Sequence, residues 1–221
     1  MRSIAPDALL YTAACTIIAA PIAGVAIWSS ARLRSQRTPA GTTVDAITGV
    51  VAVVAIFVAA SACLTLVSAG GNVDALRFVA TSHATLAAVA LALSALGALC
   101  GAAFRDPLDA AACSLSIALA ASGGLLVAGA SVADMPKGIV DVALLGSPLV
   151  AMASAAHIDL VRMDTLYQIS TLAHLGVDYP AWPVTAVCYL AAAVIGLAGL
   201  AWISGAGGHV PLRRPSAHSP N

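Results

Sequence analysis

The sequence predicts an all-α fold, a polytopic transmembrane helical bundle with five firm spans and one re-entrant or short sixth segment. Three observations carry this. Of 221 residues, 60% are hydrophobic and 9% are charged, where a soluble domain holds roughly 25% charged residues. Mean hydropathy is +0.95. The charges also fall between long uncharged stretches, each near the ~20 residues that cross a bilayer. Such a chain has too little polar surface to fold as a soluble globule, and too much apolar surface to be disordered.

The spans follow in order. Residues 8–31 are uncharged and end at Arg32. An apolar run of that length suits a spanning helix better than a cleaved signal segment. The next spans are placed at 46–69, 78–104 and 110–133, and the last at 182–204. Residues 138–160 are the ambiguous segment. Their uncharged core, 142–158, is short, contains Gly146 and Pro148, and is bounded by Asp141 and Asp159. Residues 1–206 thus form a single transmembrane domain. The Gly-, Pro- and Ser-rich end, 207–221, is expected to be a disordered cytoplasmic tail.

Charge distribution decides how to treat 138–160. The basic cluster Arg32, Arg34 and Arg37 is placed inside by the enrichment of Lys and Arg in cytoplasmic loops. If all six segments cross, basic residues divide equally between the two sides. If 138–160 turns back, six fall inside (Arg32, Arg34, Arg37, Arg105, Arg213, Arg214) and four outside (Arg2, Arg77, Lys137, Arg162). The re-entrant arrangement is preferred. It gives an external amino end, an internal carboxyl end and an external segment before the last span. Irregular backbone at that depth needs protein or a water-filled cavity around it.

Net charge is zero, from ten Lys+Arg against ten acids, all Asp. That removes the basic balance that nucleic-acid binding requires. Cys15, Cys63, Cys100, Cys113 and Cys188 lie in apolar runs with no C-x-x-C spacing, so they read as packing residues. His83 and His157 do not fall deep in facing spans, so bis-His haem ligation is not expected. In 157–178, His157, Asp159, Asp164, His174 and Asp178 match no compact metal-ligand spacing, and an amphipathic interfacial helix is the expected reading. No charge sits well inside a firm span, which argues against a proton- or sodium-driven pump. No nucleophile–base constellation and no phosphate loop is present, so the chain is expected to be neither an enzyme nor a nucleotide hydrolase. No cofactor is expected.

Three stretches resemble the membrane subunits of type 2 ABC exporters. The first is 94–129, a small-residue span, then the turn Phe104-Arg105-Asp106-Pro107, then an Ala-rich span. The second is Ser147-Pro148-Leu149-Val150-Ala151, similar to an Asn-Pro-Leu-x-Ala stretch of that family. The third is the basic loop 32–43. The resemblance covers roughly 20–205. It implies a permease in the bacterial cytoplasmic (inner) membrane, working with a separate ABC ATPase subunit and a second permease subunit, like or unlike. It implies an ATPase-coupling loop at Arg32, Arg34, Arg37, Thr43 and Asp45, with a short helix around Thr43–Thr48, and Arg105 nearby. It implies an external re-entrant segment at Ser147, Pro148, His157 and Asp159. Two features depart from the family: the first of six spans is expected to be missing, and a Glu-containing stretch of the coupling loop has no counterpart in a chain without Glu. The other function class weighed is a non-catalytic membrane anchor or assembly subunit of a multi-subunit complex, redox or other.

Overall fold

The computed structural model describes residues 4–34, 39–68, 73–128, 135–159 and 179–206. Every regular element among them is helical. They are α1 (Ile4–Arg34), α2 (Pro39–Ser68), α3 (Val73–Ala103), α4 (Pro107–Ala128), α5 (Lys137–Leu145), α6 (Pro148–Ala155) and α7 (Trp182–Ala206). Four of these, α1, α2, α3 and α7, are long and apolar enough to cross a membrane, and α5 with α6 forms a bent pair that could make a fifth crossing. α4 has 22 residues, about 33 Å at 1.5 Å per residue, and over its length it is as apolar as α1 and α3. The end of the span expected at 110–133 and the tail 207–221 lie outside the described residues.

The outer faces confirm the solvent. Ile56, Leu64 and Val67 on α2, and Val187, Val194 and Ile195 on α7, are each more than 60% exposed. Thr85, Ser94, Ser114 and Thr185 are buried instead. Apolar outward and hydroxyl inward is the pattern of a helix bundle solvated by lipid. The protein is an integral, multi-pass membrane protein.

α3 is the centre. In its span 61% of residues are buried, against 39% in α1, 22% in α7 and 17% in α2. α1 and α7 pack most closely on it, with α2 and α4 filling the flanks. The α1–α3 crossing is backbone on backbone. A Cβ added at Gly24 would lie 2.9 Å from the Ala98 nitrogen, and one at Gly97 would lie 2.8 Å from the Pro21 carbonyl carbon. Neither position has room for a side chain. Pro21 sits inside α1 and presses its carbonyl against Gly97. A soluble helix would lose about 3 kcal/mol to such a proline, whereas spanning helices tolerate it when neighbours enclose the freed backbone. Further small residues extend the seam, with Gly101 against Trp28 and Gly196 against Ala95.

α2 begins at Pro39 rather than near residue 46. No separate short helix exists around Thr43–Thr48. Proline at the first position suits helix initiation, and nothing between 39 and 46 breaks the helix. The turn 104–106 is equally local in origin. The Asp106 carboxylate accepts the Leu108 N–H at 2.8 Å and Pro107 opens α4, so cap and proline together start the helix.

Replacing Gly97 by Leu should abolish the α1–α3 seam. Overpacking costs about 1–3 kcal/mol where side chains can yield, and here the obstacle is backbone. The variant is expected to lose its folded monodisperse form in detergent. Gly123→Ala, where nothing lies within 4 Å of the added methyl, should melt at or above the parent temperature. Size-exclusion profiles and melting curves of the two variants check this.

Candidate functional site

The bundle has two chemically distinct ends. At one end α1 finishes, α2 starts, α3 passes into α4 and α7 finishes. Trp28, Ala31, Ala46, Ala98 and Leu200 pack together there. Arg32, Arg34 and Arg105 lie at this end and are all exposed. Arg32 and Arg34 occupy the last turn of α1, where cations complement the helix dipole. Asp45 is also exposed, but Thr43 is buried at 6% exposure, so it packs within the bundle rather than facing outward. Arg37 lies outside the described residues. The structure therefore gathers Arg32, Arg34, Asp45 and Arg105 at one end, with Thr43 beneath them.

At the opposite end lies a broken helix pair. α5 and α6 are bent by 77° across Gly146-Ser147. Three side-chain bonds fix the depth of the tip. The Tyr189 hydroxyl, from α7, donates to the Gly146 carbonyl at 2.7 Å. The Ser147 hydroxyl donates to the Ser122 carbonyl of α4 at 3.2 Å. The Ser154 hydroxyl donates to the Pro180 carbonyl at 2.7 Å. Lys137 and Asp141, on α5, border the same Tyr179-Pro180 corner. Both arms thus open at the start of α7, while the tip reaches Tyr189, two turns deeper. By length and composition the bent pair fits a broken span or a re-entrant segment. Ser147 and Pro148 are buried at its tip, whereas His157 and Asp159 are exposed at its mouth.

The mouth holds two adjoining grooves. One, of about 540 Å³, is lined by Ser154, His157, Asp159, Tyr179, Trp182 and Pro183 among others. The other, of about 510 Å³, is lined by Asp74, Arg77, Phe78, Thr81, His157 and Trp182. His157 and Trp182 form the shared wall. The Tyr179 hydroxyl donates to an Asp159 carboxylate oxygen at 3.1 Å. His157 has φ of 53°, a left-handed conformation uncommon outside glycine. It is the left-handed residue that ends α6, with the Ile158 N–H closing on the Ala153 carbonyl at 2.9 Å. Neither groove is legible in the sequence, because its walls come from α3, the end of α6 and the start of α7.

His83 lies elsewhere. It is buried on α3. Its Nδ1–H donates to the Val79 carbonyl at 3.0 Å, so Nε2 of the neutral ring accepts from the Ser61 hydroxyl of α2 at 3.1 Å. Both nitrogens are engaged, and His157 is at the surface, so the two histidines are not a facing pair. Among the described residues no three His, Cys, Asp or Glu side chains gather as a metal site. Asp164, His174 and Asp178 lie outside the described residues. Cys100 and Cys113 are both free thiols, and Cys100 packs with Val25 and Ala110, as apolar packing residues do.

Tyr189→Phe and Ser147→Ala each remove one tether of the hairpin tip. A buried hydrogen bond is worth about 1 kcal/mol. Each variant should melt slightly lower, and the double variant should show faster amide hydrogen exchange across 146–150 while α3 exchanges as before. Exchange mass spectrometry of the purified protein checks this. The chain matches no family model, no curated protein and no solved structure.

Proposed function

We propose that the chain is the membrane subunit of an ABC-type exporter in a bacterial cytoplasmic membrane, moving substrate with energy supplied by a separate ATPase. One observation carries the reading. A broken helix pair meets the start of the last long helix at one end, while the exposed Arg32, Arg34 and Arg105 lie at the opposite end. That is the arrangement the resemblance to type 2 exporter permeases implies. Enrichment of Arg on cytoplasmic faces puts Arg32, Arg34 and Arg105 inside, within reach of a docked ATPase, and puts the hairpin mouth outside.

A second permease subunit is part of the proposal. Where α1, α2 and α3 separate beside Thr16 and Phe57, the gap holds only about 100 Å³. That is a few water molecules at ~30 Å³ each. A second cleft, of about 410 Å³, opens between α3, α4 and α7 beside Tyr189 and Gly196, and the exposed apolar faces of α2 and α7 offer surface to a second subunit. ATP binding would then tilt paired bundles as rigid bodies.

Affinity purification of the detergent-solubilised protein from its native membrane tests the reading. An ATPase is expected to co-purify. Its recovered activity should fall roughly tenfold, ~1.4 kcal/mol of docking energy, when Arg32, Arg34 and Arg105 together become Ala. A preparation that brings down other membrane or redox subunits and no ATPase would instead establish an anchor or assembly role.

A further inference from the structure

We propose that Cys100 and Cys113 form a modification site, a dithiol pair that peroxide closes into a reversible disulfide between α3 and α4. The proposal does not depend on the transport reading.

Helix geometry brings the two together. Cys100 lies three residues before the end of α3, and Ala110 three residues after the start of α4. Each therefore stands about 4.5 Å from its helix end at 1.5 Å per residue. Both are buried, in one cluster with Val25 of α1. Cys113 is three residues further along α4, on the same face as Ala110, and packs against that cluster. Side chains on a helix lean toward its N-terminus. The Cys100 side chain leans away from the Phe104–Asp106 turn, and the Cys113 side chain leans toward it. They converge, and the two thiols are hydrogen-bonded to each other. Cys15, Cys63 and Cys188 are exposed on three other helices.

Two thiols in contact have a chemistry that one lacks. Cys113 is half-buried and Cys100 is buried, so a small oxidant meets Cys113 first. The Cys113 thiolate attacks one oxygen of hydrogen peroxide and the O–O bond breaks. The sulfur keeps one oxygen as a sulfenic acid, and the other leaves as hydroxide, which takes up the proton the thiol lost and becomes water. The Cys100 sulfur then attacks the sulfenic sulfur. The S–S bond forms, the S–O bond breaks, and the departing hydroxide takes the Cys100 proton as a second water. Two thiols have given up two electrons and two protons, and one peroxide has become two waters. Because the sulfurs already meet, the second step is intramolecular and outpaces further oxidation of Cys113. A small thiol reverses the bond by exchange. Leu96 packs on the same cluster and also lines the cleft between α3, α4 and α7. The cross-link thus fixes α4 against α3 at the edge of that cleft.

Peptide mapping of the full chain in detergent tests this. The protein is exposed to hydrogen peroxide, its remaining thiols are blocked with N-ethylmaleimide as it is denatured, and the peptides are mapped without reduction. Cys100 and Cys113 should appear as one disulfide-linked pair within the chain, about tenfold above any other disulfide, the advantage of an intramolecular step. Cys15, Cys63 and Cys188 should carry the blocking group. Dithiothreitol added before blocking should return Cys100 and Cys113 as thiols. In Cys100→Ser the reaction should stop at the Cys113 sulfenic acid, which dimedone traps. In Cys113→Ser the buried Cys100 should stay a thiol. A melting temperature equal to the parent's shows that each variant is folded, and the map of the parent chain decides the matter without them. Recovery of both thiols after peroxide, Cys113 carried on to sulfinic acid beside an intact Cys100, or links to Cys15, Cys63 or Cys188 in equal yield would each overturn the assignment.

Discussion

The contact between the backbones of α1 and α3 at Gly24 and Gly97 sets the rest of the architecture. In lipid, apolar side chains gain little by leaving one hydrocarbon environment for another. Helices associate through van der Waals contact, and contact is greatest where no side chain intervenes. Gly97 meets the Pro21 carbonyl, and Gly24 meets the Ser94 carbonyl and the Ala98 nitrogen. Once α1 lies this close, α3 is enclosed on one side, and α7 encloses it on another through Gly196 and Ala95. α2 and α4 can then only flank the pair. The central position of α3, and its burial, follow from two residues that lack a side chain.

The hairpin meets a different constraint. Backbone at membrane depth must find partners for its polar groups. The turn between α5 and α6 does so almost completely. The Gly146 N–H reaches Val142 and the Ser147 N–H reaches Leu144. Pro148 has no N–H to satisfy. The Ser147 hydroxyl faces the Val150 N–H as an N-cap at 3.5 Å, and Tyr189 supplies a donor for the Gly146 carbonyl. Ser147 and Pro148 are buried against the bundle, while Gly146 is exposed with its N–H and carbonyl both bonded.

How much of this was legible depends on the range of the cause. Span limits follow from local composition, and the charges that bound each stretch sit near the helix ends. Asp45 bounds the uncharged stretch from which the second span is expected at 46–69, whereas the helix itself starts at Pro39, since a single charge on an exposed helix face near the membrane surface costs little. Charge counting favoured a segment that turns back. The partners that fix its depth, Ser122 and Tyr189, stand 25 and 43 positions away in the chain and carry no local signal. Gly24 and Gly97 were equally hidden, being two among 18 glycines. The family resemblance implies Thr43 in the coupling loop, and helical periodicity turns its side chain inward. The grooves at the hairpin mouth needed three separate segments to meet.

Helix α7 ties these features to one another. Trp182, at its first turn, walls both grooves. Tyr189 lies two turns on and holds the hairpin tip. Leu200, further along, is fully buried among Trp28, Ala31, Ala46 and Ala98 at the arginine end. The helix has 25 residues, about 38 Å at 1.5 Å per residue, and contains no proline between Val184 and Ala206. A continuous helix of that length moves as a rod, since kinks need a proline, a π-bulge or an inserted side chain. The α1–α3 pair is locked by backbone contact, whereas α7 meets α3 through Gly196 on Ala95 and Gly199 on Leu99, side chains able to shift. A tilt of α7 against the fixed pair would therefore move Trp182 and Leu200 together, changing the groove and the arginine end in one step.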